Sequence, residues 1–426
     1  MADNQRKIFM TGVGGIGMSA LAQLIALRGE EVSGSDREES PTTELLESKG
    51  IHVAIGQKED NVAPDTSLLI YTAAVPESNP ERVRATELGI PQVSYFEALG
   101  SVSEEKRTVA IAGTHGKTTT TGMLARILKD AGAEPSAVVG SIVKDFGSNY
   151  LPGTSDLFVV EACEYERHFL TLQPEVLVIT NIEFDHTDYY QDLADVQSAF
   201  RALIKKVPLH GTIITDVEHP HIAPLLEGVQ AQIVDYTKEP AYELRAPGEF
   251  NQMNARAAAA AARAVMSDIQ QGDIIRALAD FHGTWRRFER KGTTDTGVTV
   301  YDDYAHHPTA IRETLRALRT KTEGRVFVAF HPHLYSRTRD LLDGFARAFG
   351  DADEVLIAPI YPAREVDDGT ISSEIVAERV RAEGVHARAL SFEDIETVLR
   401  TEPKEGDVIM TMGAGDIYKV ANHLVA

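Results

Sequence analysis

Cysteine is almost absent: the 426-residue chain has one, Cys163. That excludes an intrachain disulfide framework and a cysteine-only zinc site. No uninterrupted apolar run approaches the ~18 residues a membrane-spanning helix requires, and the most apolar helix candidate, Ala257 to Met266, is broken by Arg263. The first residues, MADNQRKIFMTG, lead into a strand without a hydrophobic signal core. Positive charge is in deficit, with 42 Lys and Arg against 64 Asp and Glu and a formal net charge of −22. Such a surface disfavours nucleic acid and anionic lipid. It leaves room for anionic small ligands, because local backbone amides outweigh a mean charge. With 43% hydrophobic and 25% charged residues, the chain has ordinary globular composition. The expectation is a soluble, cytoplasmic, multidomain protein with no nucleic-acid partner and no membrane insertion.

What the sequence does have is alternation. Short Val/Ile-rich runs at 7–11, 31–34, 67–72, 108–112, 157–162, 176–182, 211–215, 298–302, 325–330, 354–358 and 407–412 predict strands. Helix-length amphipathic stretches lie between most of them, for example 16–28, 117–131, 193–204, 254–265, 311–319 and 340–349. Most strand runs do not alternate polar with apolar, so both sheet faces should be covered. The expected fold class is α/β, with mostly parallel sheets flanked by helices. So many strands exceed one open sheet, so the chain should divide into several domains. Two polar stretches, Gly100–Arg107 and Trp285–Gly297, are expected as linkers.

Three segments carry chemistry. The first is Gly12-Val-Gly14-Gly15-Ile16-Gly17, after a strand and opening a helix, with Asp36 at the end of the next strand. Glycines there admit an anion close to the backbone at a helix N-terminus, and the acid is spaced to meet a ribose hydroxyl. The pattern suits a nucleotide or pyrophosphate without saying which; a plain βα turn would leave the same trace. The second is Gly113-Thr114-His115-Gly116-Lys117-Thr118-Thr119, again between strand and helix. Its amides suit phosphate oxygens, Lys117 suits β/γ charge and Thr118 suits magnesium. Ile111 stands where a standard P-loop has its first glycine, so this loop is a shorter variant. The third pairs two strands with acidic tips, Phe158-Val-Val-Glu161 and Thr180-Asn181-Ile-Glu-Phe-Asp185-His186. Glu161, His186 and Thr118 together offer a metal platform; alternatively, Asp185 and His186 cap the next helix. Cys163 is expected in the core.

The last third contributes Asp302-Asp303-Tyr304-Ala-His306-His307-Pro and His331-Pro-His333-Leu-Tyr-Ser-Arg337, each between a strand and a helix. Neighbouring strand residues point to opposite faces, so the four histidines should not converge on one metal. Recognition of a small polar substrate is the better reading, with Arg337 for a carboxylate. Gly413-Ala-Gly415-Asp416 is a further close-approach loop.

Together, in order and over nearly the whole chain, these motifs resemble the Mur ligase family, along with Glu-Ala-Cys-Glu-Tyr (161–165), Arg-Arg-Phe (286–288) and Asp-Asp-Tyr-Ala-His-His-Pro-Thr (302–309). Within that family the likeness is greatest to the alanine-adding branch. The resemblance implies three consecutive domains: Rossmann-like at 1–104 for a UDP-sugar, P-loop ATPase-like at 105–290 for ATP, and Rossmann-like at 291–426 for an amino acid. It implies UDP-N-acetylmuramate and L-alanine as substrates, ATP and Mg2+ as cofactors, and a monomer or weak homodimer. Gly14, Gly15, Ile16, Gly17, Ser35, Asp36 and Thr72 would hold the UDP-sugar. Gly113 to Thr119, with Asn251, Asn254 and Arg287, would hold ATP, and Thr118, Glu161 and His186 the metal. Tyr304, His306, His333 and Arg337 would meet the amino acid. Lys117, Glu161, His186, Arg287, Asp303 and His306 would be catalytic, with His306 or Asp303 taking the amine proton. Phe250 and Leu334 stand where relatives carry His and Arg. Three other readings stay open: a ligase recycling a preformed tripeptide onto the same sugar, a nicotinamide-dependent oxidoreductase built on the first loop, and a non-catalytic nucleotide switch.

Overall fold

The computed structural model describes residues 5–425. They form two compact units. One runs up to Asn181 and includes Ser198–Tyr242 and Ala255–His282; the other comprises Ile182–Gln197, Glu243–Asn254 and the chain from Gly283 onward.

The first unit holds two sheets. β1 (Lys7–Thr11), β2 (Glu31–Asp36), β3 (His52–Ile55), β4 (Leu68–Tyr71) and β5 (Gln92–Ser94) form a fully parallel sheet ordered β3-β2-β1-β4-β5. Its order reverses at β1, which places the Gly12 loop at the switch point where open α/β sheets bind ligands. β6 (Arg107–Ala112), β7 (Ser136–Val143), β8 (Ser148–Leu151), β9 (Leu157–Glu161), β10 (Val176–Ile179), β11 (Thr212–Thr215) and β12 (Gln232–Asp235) form the second sheet, ordered β12-β11-β10-β6-β9-β7-β8. Only the β7–β8 hairpin in it is antiparallel. β6 lies between β9 and β10, so the Gly113 loop sits beside the C-terminal tips of both.

The second unit holds β13 (Glu289–Thr293), β14 (Thr299–Asp303), β15 (Val326–Phe330), β16 (Glu354–Ile357), β17 (His386–Ala389) and β18 (Val408–Met412), ordered β13-β14-β18-β15-β16-β17 and parallel except for β13. Alternate residues of β15 serve two cores. Val326, Val328 and Phe330 pack with Ile311, Leu315 and Phe345, whereas Phe327 and Ala329 pack with Ile395, Leu399 and Ile417. Burial on both faces explains the unbroken apolar run of that strand.

The α/β class and the three mostly parallel sheets are as expected. The linkers are not. Residues 100–104 complete the helix Tyr95–Glu104, which starts with a capping box between Ser94 and Glu97, and Arg107 already opens β6. The second expected linker contains β13, an edge strand, and the expected boundary at 290/291 falls inside it. No helix among the described residues is long and apolar enough to cross a membrane.

Candidate active site

The first glycine loop is tied to its own neighbours. Asp36 Oδ2 accepts from the Gly14 amide at 2.8 Å, and Ser35 Oγ donates to Glu81 at 2.7 Å. Asp36 therefore braces the loop in this structure. Gly12 has φ +78°, and a Cβ there would lie 2.5 Å from Thr72 Cγ2, so no other residue fits the turn without displacing Thr72. Gly15 caps the helix Ile16–Leu27, whose first turn presents amides beside this loop. Asn149 of β8 donates to the Ile16 carbonyl and, at 2.9 Å, to Ser19 Oγ.

The second loop is held more tightly. Gly113 has φ +132° and lies against Thr180; Thr180 Oγ1 donates to the His115 carbonyl at 2.6 Å, and the His115 amide donates to Asn181 Oδ1 at 2.9 Å. Gly116, at φ +84°, turns the chain into the helix Lys117–Asp130. Lys117 Nζ donates to the carbonyls of Gly113 and Thr114 and pairs with Glu164 at 2.9 Å. Burial opposes its charge, but the neighbouring acidic groups, Glu164 first, together outweigh that effect and raise the ammonium above its ordinary pKa, so Lys117 is cationic.

Thr118 Oγ1 donates to Glu161 Oε1 at 3.0 Å, and the Gly140 amide donates to Glu161 Oε2 at 2.8 Å. A Cβ on Gly140 would stand 2.4 Å from that carboxylate. A hydroxyl beside a carboxylate is a hard-oxygen donor set, so these two side chains fit magnesium. Cys163 is half-buried and not in the core; burial and Glu164 push its thiol up to about 12, so it is no nucleophile at neutral pH.

In the second unit Asp185 is the organising acid. Its Oδ1 accepts from Arg337 Nε and from the His186 amide, both at 2.7 Å. Burial would raise its pKa, but Arg337 and then His186 hold it well below the ordinary carboxylate range. His186 has φ +53° and its carbonyl accepts from Tyr189 and Tyr190, so the segment is a turn; the next helix starts only at Leu193. The helix-cap alternative for Asp185 and His186 therefore does not hold. Asn251 and Asn254 share one buried face of the helix Glu249–Val265, and Asn251 donates to the Pro247 carbonyl at 2.7 Å. Phe250 beside them packs against the core of the third sheet, an apolar role that histidine would not fill.

Arg337 is buried, with Nη1 3.2 Å from His333 Nδ1. The His306 and His333 rings are 6.2 Å apart, and His333 stacks on Tyr361. Burial and then Arg337 lower both imidazoles, that of His333 to about 3. Both are therefore neutral near pH 7. His307 instead bonds the Phe184 carbonyl and His331 faces Phe392, so the four histidines do not converge; all of them lie past the ends of their strands, where strand alternation does not decide it. Both Asp303 oxygens accept backbone amides, those of Phe288 at 2.6 Å and Ala305 at 2.7 Å. Asp303 thus shapes the turn that carries Tyr304, while Arg287 lies over the Tyr304 ring.

Sequence reasoning left Glu164 and Arg286 without a role and gave Asp185 only that of a helix cap. Arg286, not Arg287, is the buried one: it pairs with Asp302 at 2.8 Å and donates to the carbonyls of Gly413 and Gly415. Two adjacent arginines carry no signal of which turns inward, although Glu164 was visible as the second acid of Glu-Ala-Cys-Glu.

A glycine loop with a cationic lysine, a hydroxyl beside a carboxylate and a second glycine loop at a sheet switch point, all on parallel α/β sheets, suit the class of nucleotide-dependent ligases and transferases. Family models narrow that class: the Mur ligase family catalytic domain matches residues 7–107, the Mur ligase middle domain 111–246, and the Mur ligase glutamate ligase domain 286–415. The UDP-N-acetylmuramate–L-alanine ligase of Clostridium novyi (strain NT) is 40% identical, with 99% of this chain and 97% of that protein covered. Among solved structures, UDP-N-acetylmuramate-alanine ligase of Thermotoga maritima matches with TM-score 0.81, 30% identity and 98% of each chain covered. A murein peptide ligase of Psychrobacter arcticus matches with TM-score 0.74, 26% identity, and 99% of this chain and 100% of that one covered. The chain belongs to the Mur ligase family.

Proposed function

We propose that this protein joins L-alanine to the lactyl carboxylate of UDP-N-acetylmuramate at the expense of ATP, releasing ADP and phosphate in peptidoglycan precursor synthesis. The near full-length likeness to UDP-N-acetylmuramate–L-alanine ligases carries the reading. It is supported by the cationic Lys117 in its loop and by Glu161, held by Thr118 and Gly140. It places the work in the cytoplasm, where ATP and the sugar nucleotide are found together.

A carboxylate acylates poorly because its leaving group is poor. Transfer of the γ-phosphoryl of ATP to the lactyl oxygen gives an acyl phosphate, and the neutral amine of alanine then displaces phosphate through a tetrahedral intermediate. Both steps bring anions together, so fixed positive charge is the main requirement. Lys117 supplies it at the phosphates, and Arg287 is proposed to add to it. Thr118, Glu161 and His186 are proposed as the ligands of magnesium, which when bound screens the charge between phosphates and carboxylate. The amides of Gly14 to Gly17 hold the UDP pyrophosphate, and Asn251 and Asn254 serve ATP. Tyr304, His306, His333 and Arg337 are proposed to receive alanine. A neutral His306 suits removal of the amine proton better than Asp303, whose oxygens are engaged by amides. The domains proposed for the three substrates are those at 1–104, 105–290 and 291–426.

ADP production with UDP-N-acetylmuramate is the test. Stimulation by L-alanine supports the proposal, whereas stimulation only by a preformed tripeptide assigns the chain to peptide recycling.

A further inference from the structure

Gly17 closes the first glycine loop, and its neighbour in space is the ring of Tyr95. A Cβ on Gly17 would lie 2.6 Å from the Tyr95 hydroxyl and 2.7 Å from Cζ. Tyr95 opens the helix Tyr95–Glu104, whose first turn the Ser94–Glu97 capping box fixes. Phe96 beside it meets the Tyr95 ring edge-on at 4.9 Å and stacks flat on His168, with centroids 3.7 Å apart. His168 belongs to the turn Tyr165–Thr171, which follows β9 and holds Glu166 and Arg167 in left-handed backbone. The Tyr95 ring thus lies against the glycine loop, and Phe96 beside it ties the same helix start to the turn after Glu161. Burial and the nearby charges of Glu161 and Cys163 raise its phenol pKa, so the hydroxyl stays protonated and able to donate. Tyr95 is only half-buried, and no group among the described residues bonds its hydroxyl.

We propose that Tyr95 is a substrate-specificity residue, its hydroxyl donating a hydrogen bond to the hexosamine–lactyl end of the sugar nucleotide. The inference rests on the function proposed above. The pyrophosphate belongs at the amides of Gly14 to Gly17 and the reacting carboxylate beside Glu161 and Lys117. The hexosamine must span the stretch between them, and Tyr95 lies there, against Gly17 on one side and toward Glu161 on the other. A donor packed against Gly17 and edge-on against Phe96 loses little freedom on binding, and its hydrogen bond discriminates against a ligand that lacks the matching oxygen.

The test is calorimetric titration of wild type and Tyr95→Phe with UDP-N-acetylmuramate and with UDP, alongside KM and kcat. Loss of one well-placed hydrogen bond corresponds to about tenfold in affinity. The expected result is that Kd and KM for UDP-N-acetylmuramate rise about tenfold in Tyr95→Phe, while Kd for UDP, KM for ATP and the melting temperature stay as in wild type. Unchanged UDP-N-acetylmuramate affinity overturns the inference, and so does equal weakening of UDP, which moves the contact to the nucleotide. If wild type itself binds no UDP-N-acetylmuramate, the proposed function fails first.

Discussion

The Lys117 ammonium lies within 3.0 Å of both carboxylate oxygens of Glu164, and both side chains are buried or nearly so. The loop lysine thus rests on an acid and on the carbonyls of its own loop before any phosphate arrives. Removing the acid leaves a desolvated ammonium without its main partner. Glu164→Ala should lower unfolding stability by about 2–4 kcal/mol, measured by urea denaturation. An unchanged midpoint would show that the loop carbonyls alone satisfy Lys117.

Lys117→Ala should abolish ligation while leaving UDP-N-acetylmuramate affinity near normal, because the sugar nucleotide is assigned to the other loop. Parallel titrations with ATP and UDP-N-acetylmuramate check this. Substantial residual turnover would remove Lys117 from the phosphate site.

Gly140→Ala places a methyl group 2.4 Å from the Glu161 carboxylate. The acid must shift from its place between Gly140 and Thr118. The magnesium concentration for half-maximal activity should then rise at least about tenfold, with UDP affinity unchanged. A magnesium titration identical to wild type would detach Glu161 from the metal.

The buried Asp185–Arg337 pair gives a pH prediction with a definite sign. The folded pKa of Asp185 lies well below the ordinary 3.8, so its contribution is complete above 3.8 and is lost as pH falls below that value. His333 acts over a higher window. Its folded pKa near 3 lies below the ordinary 6.5, so protonation favours the unfolded chain between the two values. Stability should fall as pH drops from 6.5 towards 3, and His333→Gln should flatten that slope. A slope equal in variant and wild type would show that His333 is not held neutral by the fold.

The strands expected from sequence are the central ones. β3, β5, β8, β12, β13 and β17, which escaped notice, are the six edges of the three sheets, and β7, the seventh, neighbours an edge. An edge strand is open on one side and need not be apolar: β13 reads Glu-Arg-Lys-Gly-Thr and β17 His-Ala-Arg-Ala. At the site, loops were legible because glycine positions and helix starts are written locally. Thr118 with Glu161 followed from adjacent strand tips. The pairing of Asp185 with Arg337, 152 residues away, was not legible, because a long-range ion pair leaves no periodic trace. Nor was the role of Tyr95, an ordinary aromatic at a helix start until the fold sets Gly17 against it.

The formation of an acyl phosphate at Lys117 is tested most directly by following oxygen. UDP-N-acetylmuramate labelled with oxygen-18 in its lactyl carboxylate is incubated with ATP, magnesium and L-alanine, and the released phosphate is analysed by mass spectrometry. One labelled oxygen should pass from the carboxylate into the phosphate, in step with formation of the alanyl product. Phosphate free of label, or product formed without phosphate release, would contradict activation by phosphoryl transfer.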